Sequence, residues 1–247
     1  MSMLEIRNLN KSFGAITVSC DISLSIGQGD CHALIRPNGA GKTTLIHQIS
    51  GVLMPDSGQI ILEGQDITSL SVAQRVRVGM GRTFQITSVL PTFSALENTA
   101  IAVQAKSGSS MRFFADAARD TGLNTKAQAI LERVGLGSRS DIRASNLSHG
   151  ELRLLELAIA LAGEPKFLLL DEPMAGLGRV ESAALVTLLT ELRRSLPMLL
   201  VEHDMDAIFQ LANTVSVLVD GNVVARGTPD EVRASPAARA AYLGEPA

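Results

Sequence analysis

Tryptophan is absent from these 247 residues and tyrosine occurs once. Too few flat rings are left for the base-stacking surface that single-stranded nucleic acid requires. There is no block of basic residues and the formal net charge is −3, which argues against a polyanionic partner. No stretch approaches the ~20 apolar residues that a membrane-spanning helix needs. The opening Met-Ser-Met-Leu-Glu-Ile-Arg has no signal-peptide hydrophobic region, so a cytoplasmic protein is expected. The only two cysteines, Cys20 and Cys31, have neither metal-ligand nor redox spacing. Cys31 lies in the apolar run Cys31-His32-Ala33-Leu34-Ile35 and is expected to be a small buried thiol.

What is present is apolar. Hydrophobic residues make up 46% and charged residues 19%, enough for a sizeable core and against global disorder. The mean hydropathy of +0.22 is high for a protein without membrane spans. A cytoplasmic protein with a sticky surface is the expectation, one that could dock against something apolar.

Leu4–Ile6 and Val18–Ile26 alternate apolar and polar residues, as half-buried antiparallel strands do. Ile60-Ile61-Leu62 before Glu63-Gly64 reads as another strand with its turn. Ala33-Leu34-Ile35, Phe167-Leu168-Leu169-Leu170 and Leu199-Leu200-Val201 are continuous apolar runs, which suit strands buried on both faces of a parallel sheet. Asp220-Gly221-Asn222 between two valine-rich runs signals a hairpin. Helix starts are marked by Ser94…Glu97, Ser148…Glu151 and Thr228…Glu231, each fitting a capping box. From residue 86 to 165 helical signals cluster without a convincing strand. The expectation is one domain over residues 1–247, its core formed by 1–85 and 166–247 and a helical lobe by 86–165. Phe113 and Phe114 fall in that lobe, as core or as docking residues.

Pro37-Asn38-Gly39-Ala40-Gly41-Lys42-Thr43-Thr44 follows a buried strand and precedes an apolar helix, Leu45 to about Ile49. In that context the backbone N–H groups of Gly39, Ala40, Gly41 and Lys42 converge on a β-phosphate at a helix N-terminus. Lys42 reaches the β- and γ-oxygens, and the Thr43 hydroxyl binds Mg²⁺. Position 36 departs from the pattern, because Arg36 stands where the motif has glycine. If its φ is positive an arginine there costs about 1–2 kcal/mol, and otherwise little. Tolerance, weakened nucleotide binding and an altered residue all remain open for Arg36.

Downstream come Asn146-Leu147-Ser148-His149-Gly150-Glu151, then the strand Phe167–Leu170 ending in Asp171-Glu172-Pro173, then Val201-Glu202-His203-Asp204. Together with the phosphate loop, these elements in this order resemble the ATP-binding subunit of an ATP-binding cassette (ABC) transporter over nearly the whole chain. Arg82-Thr83-Phe84-Gln85, Leu96-Glu97-Asn98 and the ending Ala241-Tyr242-Leu243-Gly244 are similar to one branch. That branch comprises the ATPases of branched-chain amino acid importers and of related urea and amide importers. It is also similar to the lipopolysaccharide-export ATPase.

The resemblance implies a P-loop α/β fold with a parallel core, an antiparallel β edge and an inserted helical subdomain. It implies ATP and Mg²⁺ as cofactors, with Asn38 and Thr44 in the phosphate loop and Thr44 on the α-phosphate. Phe13 is expected to stack on adenine, with core packing as its alternative. Asp171 and Gln85 take Mg²⁺ with Thr43, Glu172 is the general base, and Gln85 also touches the attacking water. A polar linker residue is the alternative for Gln85. His203 contacts the γ-phosphate. Ser148 and Gly150 face the γ-phosphate held by a second ATPase subunit, sandwiching the nucleotide.

His149 and Glu151 depart from the usual L-S-G-G-Q, and Met174–Gly178 lacks the aspartate many relatives carry. The implied partners are two transmembrane permease subunits docked near Ile86 to about Asn98, a second ATPase (self or paralogue) and, indirectly, an extracytoplasmic solute-binding protein. The implied location is the cytoplasmic face of the membrane. Two alternatives stay open: a soluble cassette ATPase of iron–sulfur assembly or nucleic-acid maintenance, and a catalytically degenerate ATP-binding subunit.

Overall fold

The computed structural model describes residues 2–35, 44–83, 89–107 and 121–243. Along the chain run β1 (Ser2–Phe13), β2 (Ile16–Gly27), β3 (Cys31–Ile35), α1 (Thr44–Ser50), β4 (Ser57–Leu62), β5 (Gln65–Asp66), α2 (Val72–Arg77) and β6 (Met80–Arg82). Then come α3 (Ala95–Ser107), α4 (Thr121–Arg133), α5 (His149–Ala162), β7 (Phe167–Asp171), α6 (Arg179–Leu192) and β8 (Met198–Val201). The last elements are α7 (Met205–Leu211), β9 (Thr214–Val219), β10 (Asn222–Gly227), α8 (Pro229–Ala234) and α9 (Pro236–Leu243).

The strands form two sheets. One has four strands in the order β2-β1-β4-β5, all antiparallel. The other has six in the order β10-β9-β3-β8-β7-β6, with parallel pairing throughout except for the hairpin β9–β10 at its edge. The expected mixture of parallel centre and antiparallel edge is thus present. β1 and β2 run further than the alternating segments read from the sequence. β6 has no counterpart in that reading, because Met-Gly-Arg is too short to show a period.

β7 shows why the continuous apolar runs become central strands. Phe167 and Leu169 join a cluster with Leu4, Ile6, Leu45, Ile46 and Leu199, between the two sheets and α1. Leu168 and Leu170 point the other way, against Leu155, Leu157, Leu185 and Leu189 of α5 and α6. All four are buried, each worth about 1.5–3 kcal/mol of transfer free energy. The strand has no polar face because neither side meets water.

Turn chemistry agrees with the pattern. Asp220 and Gly221 have φ of 45° and 78°, so both central residues of the two-residue hairpin are left-handed, as its twist demands. A Cβ on Gly221 would also lie 2.9 Å from the Val18 carbonyl carbon, so glycine is required twice over at this position. Ser94, Ser148 and Thr228 each accept a bond from the N–H three residues on. The glutamates at those positions return one to the cap's own N–H. Among the described residues between 89 and 163 there are helices and turns but no strand, save one isolated bridge, Ser94 to Arg143.

The charges that interrupt α5 are partnered. Arg153 pairs with Glu156 at 3.0 Å with both side chains buried, and Glu151 pairs with Arg139 at 2.8 Å. Arg75 is fully buried, and its guanidinium donates to the carbonyls of Gln48, Ile49, Thr68 and Leu70. It closes the C-terminal end of α1, the helix that the phosphate-loop sequence leads into, where carbonyls lack helical partners. Burial pulls its pKa down to about 10.

Candidate functional site

β7 and β8 lie side by side and end at the same level, Asp171 opposite Val201. The chain leaves β7 abruptly: Glu172 has a φ of 48° while its N–H still bonds the Val201 carbonyl at 2.8 Å. A left-handed glutamate is costly by about 1–3 kcal/mol, and such residues cluster at functional sites. The turn puts Glu172 Oε1 4.0 Å from His203 Nδ1, at the start of the segment after β8. The structure therefore brings together Glu172 and His203, two residues that the sequence resemblance assigns to one site.

Asp171, the last residue of β7, is buried. Arg82, at the end of the neighbouring β6, approaches its Oδ2 at 3.5 Å. Burial raises the Asp171 pKa; Arg82 opposes this, and the nearby carboxylates of Glu172 and Glu202 reinforce it. Among the described residues Oδ2 has no hydrogen-bond partner. A dry, acceptor-only oxygen of this kind fits a hard cation such as Mg²⁺, directly or through a water shell. No group of three or more His, Cys, Asp or Glu side chains among the described residues is arranged to hold a metal.

Ser148 caps α5 with extended backbone (φ −65°, ψ 166°), its Oγ accepting from Glu151 N–H at 3.2 Å. The returning bond from Ser148 N–H holds the Glu151 carboxyl below its ordinary pKa, with help from Arg139. Gly150 is buried, and a Cβ there would come 2.6 Å from Glu181 Oε1 at the start of α6. His149 turns back to the segment after β7, its Nε2 lying 3.2 Å from the Ala175 carbonyl. Gly176, with φ of 78°, makes room for the imidazole, since a Cβ would lie 2.7 Å from Nε2. The two departures from the usual motif thus have partners here, His149 on Ala175 and Glu151 on Ser148 and Arg139.

Phe13 closes β1 with 52% of its surface exposed and Lys11 Nζ 5.5 Å from its ring centre. The core-packing alternative is thereby excluded for it. Thr44 is the first residue of α1. Asn38, Gly39, Ala40, Gly41, Lys42, Thr43 and Gln85 lie outside the described residues, as do Arg36, Phe113 and Phe114. Sequence reasoning misses Glu202 as a functional group, together with Arg82. Glu202 is buried, accepting from Met174, His203 and Asp204 N–H. Its only sequence signal is an acid ending an apolar strand, the same signal that marks Asp171.

Comparison with known proteins agrees with this geometry. Residues 20–175 match the ABC transporter family, and residues 222–247 match a family described as branched-chain amino acid ATP-binding cassette transporter. The chain is 34% identical over 250 residues to the probable branched-chain amino acid transport ATP-binding protein LivG of Archaeoglobus fulgidus, covering 99% of this chain and 96% of that protein. The Escherichia coli high-affinity branched-chain amino acid transport ATP-binding protein LivG is also 34% identical, with 98% of each covered. A lipopolysaccharide export system ATP-binding protein, LptB of Acidithiobacillus ferridurans, is 32% identical over 98% of this chain and 97% of its own. Among solved structures, a nucleotide-free ATP-binding cassette from an ABC transporter superposes with a TM-score of 0.87 at 29% identity, covering 99% of this chain and 100% of that one. Fold, site geometry and these matches over more than half the chain agree: it belongs to the ABC transporter family, as one of its ATP-binding subunits.

Proposed function

We propose that this subunit binds and hydrolyses ATP to drive a membrane importer for branched-chain amino acids or related small polar solutes such as urea and amides. The observation that carries the ATPase reading is the strained turn after β7, which sets Glu172 4.0 Å from His203 and leaves Asp171 dry beside them. Glu172 is the general base that orients and deprotonates the attacking water. His203 donates to the transferring phosphoryl oxygen from the facing strand end, and Asp171 holds the cation. Mg²⁺, when bound, supplies charge neutralisation across the β- and γ-phosphates. Lys42 and the N–H groups of Gly39 to Thr44 cradle the phosphates, Asn38 completes the loop, Thr43 and Gln85 join Asp171 on the cation, and Phe13 stacks on adenine. Positioning and electrostatics suffice, with no covalent intermediate.

The exposed Ser148 start of α5, with Gly150 behind it, is read as the half-site offered to a second ATPase subunit. Closure of the two subunits on ATP pulls on two permease subunits, and hydrolysis reopens them. A lobe of residues 86–165 on a core of 1–85 and 166–247 serves as the lever. Leu90 and Phe93 are exposed apolar residues within the segment assigned to permease docking. A solute-binding protein outside the membrane completes the system, and nucleic acid has no part in it. The protein works at the cytoplasmic membrane face; no helix among the described residues is long and apolar enough to cross the bilayer.

The solute assignment rests on the LivG relatives and on the match of residues 222–247. The LptB likeness supports lipopolysaccharide export as the second reading. The test is Mg-ATP turnover by the purified chain, alone and with its membrane partners in vesicles, beside Glu172→Gln and Arg36→Gly. Turnover stimulated by a branched-chain amino acid with its binding protein supports the proposal. Turnover found only in Arg36→Gly moves the degenerate-subunit reading to the front. Recovery with soluble scaffold proteins alone sinks the transport reading.

A further inference from the structure

Among the described buried ionisable side chains, Glu202 is the one whose contacts join the two segments of the candidate site. Its side chain is wholly buried at the end of β8. Oε1 accepts from Met174 N–H at 2.8 Å, across the gap to the segment after β7. Oε2 accepts from His203 N–H at 2.8 Å and Asp204 N–H at 3.2 Å, inside the segment after β8. The same Oε2 lies 3.6 Å from His203 Nδ1.

We infer that Glu202 is a positioning residue that clamps the segments carrying Glu172 and His203 into one unit, so that base and histidine are aligned together. The inference rests on the ATPase reading of those two residues. A carboxylate is required because both oxygens must accept, and it is the side chain with two acceptor-only atoms. Glutamine has the same shape but turns one end into a donor, which must face either Met174 N–H or the pair at 203 and 204. Either way one segment loses its anchor while the volume stays filled. Buried N–H groups left without acceptors are rare in native structures, which makes the anchored state the strongly preferred one. The clamp also explains how a left-handed Glu172 is kept in place. Its own N–H is held by Val201 of β8, and Met174 two residues on is held by Glu202.

The experiment compares the full chain with Glu202→Gln by two readouts. The first is amide hydrogen exchange in the nucleotide-free protein. Exchange is expected to rise at 174–176 or at 203–206, whichever segment faces the amide nitrogen, while β7 and β8 keep their protection. The second is Mg-ATP kinetics, where kcat should fall about tenfold, the cost of one orphaned buried bond, with KM changed less than threefold. Exchange unchanged in both segments overturns the clamp; so does an unchanged kcat. If Glu202→Gln does not fold, Glu202→Asp decides the matter. It keeps both acceptors but falls short of Met174, so exchange must rise at 174–176; protection there equal to the unmodified chain overturns the proposal. Should the unmodified chain show no turnover, the ATPase reading fails by itself, and the exchange data still decide whether the clamp exists.

Discussion

At the ends of β7 and β8 the chain is held largely by partners distant in sequence. Asp171 has Arg82 of β6 beside it, Met174 is held by Glu202, and Glu172 is tied to Val201. At the start of α5 the reverse holds. Ser148 and Glu151 bond each other three residues apart, and the cap stands exposed. In the first region Asp171 and Glu202 are buried, and Asp171 is pushed towards the neutral form. The second is wet and its acid is stabilised as the anion. A half-site that performs chemistry gains from a low local dielectric, where fixed groups act strongly on developing charge. A half-site that must meet a second subunit has to stay accessible, so local capping alone can hold it.

The largest effect should come from breaking the dry end. Glu172→Gln removes the base while keeping shape, and kcat is expected to fall at least ~100-fold, with ATP affinity within a few-fold of the unmodified chain. A tenfold or smaller loss would put the base elsewhere and dissolve the contrast between the two ends.

Asp171→Asn should also lose turnover, by about two orders of magnitude if the cation site is as assigned, but its effect on folding has the opposite sign. The folded pKa of Asp171 is raised above its ordinary 3.8, chiefly by burial. Its favourable contribution is therefore present below that value and lost as pH rises through the folded pKa, leaving the ionised group a net cost at neutral pH. The Tm of nucleotide-free Asp171→Asn at pH 7 should equal or exceed that of the unmodified chain. A lower Tm would mean that the Arg82 pair outweighs the burial penalty.

Glu151 runs the other way. Its pKa is lowered from 4.5, so its stabilisation is complete above that value and disappears as pH falls through the folded pKa. Ser148→Ala should cost about 1 kcal/mol through the lost cap, read as a Tm lower by ~2–4 °C. Ser148→Gly removes the whole side chain, hydroxyl included, but leaves a residue tolerated at the cap, so the same scale predicts a loss of only a few tenths of a kcal/mol. Turnover lost in both variants would assign the hydroxyl to phosphate; turnover lost only in Ser148→Ala would assign it to the helix.

The same contrast decides what can be read from the sequence. The cap at Ser148, the hairpin at Asp220-Gly221 and the doubly buried β7 are written in neighbouring residues, through spacing of three, a two-residue turn and an unbroken apolar run. Asp171, Glu172 and His203 stand out because they match the family pattern at the ends of such runs. Arg82, Arg75 and Glu202 are not, since their roles exist only once strands far apart in the chain lie side by side. Arg75 in particular looks like an ordinary helix-surface arginine until α2 folds it against the carbonyls of α1. β6 is hidden for a related reason, its three residues becoming a strand only because β7 offers an edge.

The smallest effect expected is at a hydrogen bond that joins the two ends. His149 reaches the Ala175 carbonyl from the exposed side, with Gly176 leaving it room. An exposed hydrogen bond of this kind contributes little, because water replaces it when it is lost. His149→Ala should change stability by under ~0.5 kcal/mol and kcat by less than about twofold. Gly176→Ala should cost more, since it forces a left-handed backbone on alanine and drives a methyl into the imidazole, about 1–2 kcal/mol from the backbone alone. Adding His149→Ala to Gly176→Ala removes the clash but leaves that backbone cost, so the double variant should recover only part of the loss. A fall in kcat of tenfold or more in His149→Ala, at unchanged Tm, would show that the accessible half-site and the dry one are coupled through this imidazole and are not separately built.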